Sequence, residues 1–114
     1  MSDFLNVAKE AAKAALDKKA ENVAVLKMDE VTIMTDFFVI CTAANRTQAQ
    51  AIANNVEDMM KEQGIQILHR EGLREGTWVL LDYGSIVVHV FQEDMRNFYD
   101  LETLWGDAAV IEID

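Results

Sequence analysis

Apolar residues recur along the chain in short runs whose spacing switches between helical and alternating. Over residues 2–19, Leu5, Ala8, Ala12, Ala15 and Leu16 return every three or four positions, and Phe4, Val7 and Ala11 widen the stripe. This spacing predicts an amphipathic helix. Ser2 or Asp3 suits its start, where a short side-chain oxygen accepts from free backbone N–H groups, and Lys18 and Lys19 suit its negative end. Val23-Ala24-Val25-Leu26-Lys27 predicts a strand, closed by Asp29-Glu30. A second strand is expected over Asp36 to Thr42, where the run Phe37 to Cys41 suits a central strand covered on both faces.

A second helix follows, with Ala49, Ile52, Ala53, Val56 and Met59-Met60 on one stripe. Thr47-Gln48-Ala49-Gln50 reads as its capping box, and Gly64 as the left-handed residue at its exit. Three strands are predicted next: Ile65 to His69, Thr77 to Asp82, and Ser85 to Phe91. Tyr83-Gly84 is a short enough connection to make the last two an antiparallel hairpin. Glu93 to Trp105 has weak helical character, and residues 106–114 run out in acidic residues without a regular pattern. The fold class this order predicts is α/β (α+β mixed): a single mixed sheet of about five strands with two long helices on one face. A length of 114 residues predicts one domain spanning 1–114.

Charge changes this picture most. Ten Lys and Arg face twenty Asp and Glu, a formal charge of −10. Such a chain is repelled by phosphate backbones unless a basic patch reverses the sign locally. Arg46, Arg70, Arg74 and Arg96 are scattered, so no extensive nucleic-acid contact is expected, and a basic protein surface is the natural partner. The apolar runs fall far short of a membrane span, and the start Met1-Ser2-Asp3 does not open a signal peptide. With a lone Cys41, a cytoplasmic location is expected.

Catalytic signatures are missing. There is no G-x-S-x-G elbow, no G-x-x-x-x-G-K-[ST] phosphate loop and no G-x-G-x-x-G turn. His69 and His89 could join Cys41 on a metal, but nothing in their spacing recommends it, and no metal or cofactor is expected. Strand alternation places His89 on one face with Val87 and Phe91, and Trp78, Leu80 and Asp82 on one face of the preceding strand. The hairpin thus offers one strongly apolar face and one that mixes aromatic and ionisable groups, the kind of surface that anchors a partner. In the tail, Phe98, Leu101 and Trp105 fall at helical spacing and are expected to dock on the sheet, leaving Arg96 and Tyr99 to point elsewhere.

Taken together, Trp78-Val79-Leu80-Leu81-Asp82-Tyr83-Gly84, Val88-His89-Val90-Phe91 and Arg96-Asn97-Phe98-Tyr99-Asp100-Leu101-Glu102-Thr103-Leu104-Trp105 closely resemble the ribosomal silencing factor (Iojap-related) family. The likeness extends to the opening helix, to Thr35-Asp36-Phe37-Phe38-Val39-Ile40, and to the helix from Arg46 and Gln48 through Ala51-Ile52-Ala53. It implies a translational repressor, active under nutrient limitation. Such a protein binds the large ribosomal subunit through its interface protein number fourteen and blocks joining with the small subunit. The contact role carries over to Trp78, Asp82, His89, Arg96, Tyr99, Leu101, Glu102 and Trp105, with a homodimer as a further expectation. The resemblance also implies a nucleotidyltransferase-like core without the catalytic acids. Asp36-Phe37-Phe38 offers one acid where such enzymes need a pair to hold magnesium. A nucleotidyltransferase-like enzyme and a stand-alone oligomerisation module are the rival readings.

Overall fold

The computed structural model describes residues 4–113. Helix α1 (Phe4–Asp17) leads into strand β1 (Glu21–Lys27), and β2 (Phe37–Ala43) precedes helix α2 (Arg46–Glu62). Strands β3 (His69–Glu71), β4 (Trp78–Asp82) and β5 (Ile86–Gln92) follow, then the short helices α3 (Glu93–Tyr99) and α4 (Leu101–Leu104), and finally β6 (Ala109–Ile111). The six strands form one mixed sheet in the order β3-β4-β5-β2-β1-β6. Among the described residues only β2 and β5 run parallel; the other neighbours are antiparallel. The two parallel strands lie at the centre, the position that their nearly continuous apolar sequences suit.

Alternation along the strands separates two cores. Val25, Val39, Cys41, Val79, Leu81, Val88 and Val90 form one buried cluster with Ala8, Ala11, Ala12 and Ala15 of α1 and Ile52, Ala53 and Val56 of α2. The alanine-rich stripe lets α1 lie close to the sheet. On the opposite face, Leu26, Met28, Ile40, Phe91 and Ala108 make a smaller cluster, on which Phe38, Trp78, Met95, Leu101 and Trp105 pack. Thus the two long helices cover one face, as expected, and the tail covers part of the other.

Several local expectations are corrected. The start of α2 is capped two residues earlier than Thr47-Gln50 implied. Asn45, with extended backbone, accepts from the Gln48 N–H at 2.8 Å, and Gln48 Oε1 accepts from the Ala44 N–H at 2.6 Å. Gln48 also donates to the carbonyls of Lys18 and Lys19 at 3.0 and 2.9 Å, tying the exit of α1 to the start of α2. Gln50 instead reaches the Leu73 carbonyl at 2.9 Å. The proposed caps of α1, Ser2 and Asp3, lie outside the described residues. Ile65 to Ile67 do not pair as a strand; Ile65 and Ile67 pack on the core, and pairing begins only at His69. The terminal segment gains a strand the sequence pattern did not predict, since Ala109–Ile111 pairs with Val25–Lys27.

A candidate docking surface on the exposed side of the hairpin

The register of β4 and β5 fixes the mixed face. Trp78 lies opposite Phe91, Leu80 opposite His89, and Asp82 opposite Val87. The same face continues onto β2, where Phe38 neighbours Val87 and Ile40 neighbours His89. Trp78 is its hub. Its ring stacks on Phe91 with centroids 4.9 Å apart and meets Tyr99 at 4.6 Å. Its indole N–H donates to His89 Nδ1 at 3.1 Å. His89 is 4 % exposed and takes an edge-on contact from Phe38 at 4.7 Å. Asp82 accepts from the Gly84 N–H at 2.8 Å and so braces the hairpin turn.

The tail departs from the predicted stripe. Asp100 adopts a left-handed backbone (φ 43°) between α3 and α4, which resets the helical phase after Tyr99. The spacing of Phe98, Leu101 and Trp105 therefore no longer describes one face. Leu101 and Trp105 pack on the second core together with Met95, whereas Phe98 is 79 % exposed. Tyr99 is 42 % exposed, and one side of its ring covers Trp78.

Arg96 does not point away. Its side chain is only 12 % exposed and is paired with Glu102 at 2.9 Å. It also donates to the Thr42 hydroxyl at 3.0 Å and to the Asn22 carbonyl. Asn22 itself has φ 49° at an irregularity in β1, so Arg96 pins the tail to the distorted start of that strand. Arg96 and Glu102 thus serve the placement of α3 and α4 more directly than they offer charge to solvent. Of the eight singled-out residues, Trp78, Asp82, His89, Tyr99 and Trp105 lie on or beside the hairpin face; Leu101, Arg96 and Glu102 hold the segment that borders it.

Next to Trp105 the face opens into a hollow of about 260 Å³, lined by Thr32, Met34, Thr35, Phe38, Leu80, Asp82, Val87, His89 and Trp105. Ile33 and Met34, in the loop that borders it, are exposed. Sequence periodicity gave these residues no part in the site, because they fall between elements. The usable signal was the presence of two large apolar residues side by side in a loop.

A shared metal site for Cys41 and His89 is ruled out by the pleat. Cys41 pairs with Val90 and faces the helices, whereas His89 faces the opposite side. Burial drives the Cys41 thiol up to about 12, only partly opposed by Arg96, so it is not a thiolate nucleophile at neutral pH.

His89 makes stability depend on pH. Burial lowers its pKa from 6.5 to about 4, outweighing the upward pull of the Asp82 carboxylate. The unfolded chain therefore takes up a proton between pH 6.5 and about 4 that the folded chain refuses. The contribution of His89 to stability is fully present above about pH 6.5 and is lost as the pH falls toward 4, on the order of 3 kcal/mol at roughly 1.4 kcal/mol per pH unit. Urea unfolding of the parent and of His89→Asn at pH 7, 5.5 and 4 should show the steeper acid loss in the parent. Equal losses would mean that His89 titrates normally in the folded protein.

Comparison with known proteins places this geometry. The family model described as "Ribosomal silencing factor during starvation" matches residues 2–114. The chain is 44 % identical to ribosomal silencing factor RsfS of Bacillus subtilis, over 96 % of this chain and 92 % of that protein. It is 46 % identical to the protein of the same name from Halalkalibacterium halodurans, over 91 % and 89 % of the two chains. A crystal structure of a Chromobacterium violaceum protein superposes with a TM-score of 0.89 at 34 % identity, covering 92 % of this chain and 88 % of the other. One from Bacillus halodurans gives 0.81 at 42 %, covering 96 % of each. With a family match over essentially its whole length and relatives this similar in sequence and fold, the chain belongs to the ribosomal silencing factor family.

Proposed function

We propose that this protein represses translation by docking its hairpin face onto a basic protein on the joining surface of the large ribosomal subunit, its interface protein number fourteen. Bound there, it keeps the small subunit away by steric exclusion and turns over no substrate. The observation that carries this reading is the half-open aromatic face centred on Trp78 and Tyr99, on a chain of charge −10. Aromatic anchors supply affinity once water is excluded. An excess of acidic groups steers the encounter with a basic surface.

Purified subunits mixed with excess protein should show a lower joined fraction at physiological magnesium. Joining that proceeds unchanged while the protein stays on the large subunit would rule out occlusion. Steering makes a second expectation: the association rate should fall as salt rises, while the dissociation rate changes less. Stopped-flow association at several ionic strengths measures this, and a flat association rate would restrict the acidity to solubility.

A further inference from the structure

His89 Nε2 is buried without a hydrogen-bond partner among the described residues. The other ring nitrogen, Nδ1, accepts from Trp78. A neutral imidazole that accepts at Nδ1 carries its proton on Nε2, so the orphan is a donor, and Trp78 fixes that tautomer. An unmade hydrogen bond at a buried donor is costly, and an otherwise well-packed strand does not need a histidine there.

The hollow that His89 lines is apolar over most of its wall, through Phe38, Leu80, Val87 and Trp105. Nε2 is itself closed to solvent, so an acceptor reaches it only as a side chain of the wall turns aside; Met34, 84 % exposed at the edge, has little packing to lose in doing so. Asp82 also lines the hollow. Its carboxylate, together with the chain's charge of −10, disfavours a phosphate oxygen as the missing acceptor. A peptide carbonyl is a neutral acceptor, and the apolar side chain beside it in sequence matches the rest of the wall.

We infer that the hollow between the Thr32–Thr35 loop and the hairpin is a receptor for one apolar residue of the protein partner, whose backbone carbonyl accepts a hydrogen bond from His89 Nε2. This rests on the hairpin face being the docking surface and adds a specificity-determining residue to it. Trp78 then acts twice, as an anchor and as the group that orients the His89 donor.

Two substitutions separate the nitrogens. His89→Asn keeps an acceptor near the Nδ1 position for Trp78 but removes the Nε2 donor; His89→Gln places an amide N–H near Nε2. With purified large ribosomal subunits as the probe, His89→Asn is expected to bind roughly tenfold more weakly, and His89→Gln within about threefold of the parent. The indole N–H of Trp78 in the free protein should stay slow to exchange with solvent in His89→Asn, because its acceptor is kept, whereas a merely structural loss would speed that exchange. The parent-to-variant affinity ratio should also hold from low to high salt, because the acceptor is neutral. His89→Asn binding as tightly as the parent overturns the inference and leaves the docking face standing. A ratio that collapses at high salt points to a phosphate acceptor and overturns it as well. A parent that does not bind large subunits removes the docking reading itself. If either histidine variant does not fold, Val87→Thr takes its place, putting a hydroxyl into the apolar wall at nearly unchanged volume: about a fivefold loss with little change in melting is expected, and parent-like binding overturns the proposal.

Discussion

Gly72→Ala is expected to destabilise the protein by about 3 kcal/mol or more, the largest effect of a methyl group added at any of its glycines. Gly72 precedes the turn that leads into β4, and its backbone is left-handed (φ +79°). A β-carbon there would stand 2.0 Å from the Trp78 carbonyl oxygen. That oxygen belongs to the main chain of a paired strand, so it cannot swing aside as a flexible side chain would. Either the turn opens or the start of β4 moves, and the second outcome displaces the backbone that carries the Trp78 ring. Gly64→Ala is the matched control. Gly64 is also left-handed (φ +74°), but a β-carbon on it meets nothing within 4 Å, so it bears only the conformational cost of about 1 kcal/mol. For a chain of this size the Gly72 change should lower Tm by roughly 10 °C or more, and the Gly64 change by a few degrees. Equal melting temperatures for the two variants would mean that the Gly72 turn relaxes freely and that its approach to Trp78 constrains nothing.

The same neighbourhood explains which parts of the structure could be read from the sequence. Strong periodicity located α1, α2 and the three longer central strands within about two residues, because each buries a full stripe or face. The hairpin turns at Gly84-Ser85 rather than Tyr83-Gly84, because the Tyr83 N–H donates to the Ile86 carbonyl at 2.8 Å. The register therefore differs by two positions from the one a Tyr83-Gly84 turn would set, and an even shift leaves Trp78, Asp82, His89 and Phe91 on one side as expected. Local chemistry was less decisive. Asn45-x-x-Gln48 and Thr47-x-x-Gln50 have the same spacing, and the choice between them rests on where the backbone turns helical and on the carbonyls of Lys18 and Lys19, 30 residues away by the longer of the two contacts. The β6 strand is three residues long, too short for alternation to register, and it forms because β1 has an open edge. In the tail, one left-handed residue, Asp100, was enough to part Phe98 from Leu101 and Trp105 and leave it exposed. Arg96 looked like an interface residue because its partners at Asn22 and Thr42 are 74 and 54 positions away.

These displacements all bear on the docking face in one direction. Fixing Arg96 inward holds α3 and α4 at the sheet, and this brings Tyr99 over Trp78 while leaving Phe98 outside, in edge contact with Tyr99 at 5.1 Å. The result is a graded aromatic ridge: Phe91 buried, Trp78 half-buried, Tyr99 and Phe98 exposed. Such a gradient rigidifies the exposed rings by packing their inner edges, which reduces the side-chain entropy lost on binding.

Trp78→Ala should therefore damage both stability and binding, and the two losses can be told apart. Its ring loses the stack on Phe91, the cover of Tyr99 and the bond to His89. Truncating a large aromatic costs about 3–5 kcal/mol in a core, and the half-buried position puts this one near the lower end. Measured well below the variant's melting temperature, affinity for large subunits should fall by about a hundredfold, equivalent to about 3 kcal/mol, because the central anchor is gone and His89 is no longer oriented. Trp78→Phe keeps most of the stacking while removing the indole donor, so it should recover most of the stability but only part of the binding. Tyr99→Ala, which removes a ring with one face already in solvent, should weaken binding by about thirtyfold and lower Tm only a little. The decisive comparison is melting and large-subunit affinity for all three variants under one set of conditions. If folded Trp78→Ala binds as tightly as the parent, and Tyr99→Ala melts much earlier without losing affinity, then this ridge is a structural seam and the docking surface lies elsewhere on the protein.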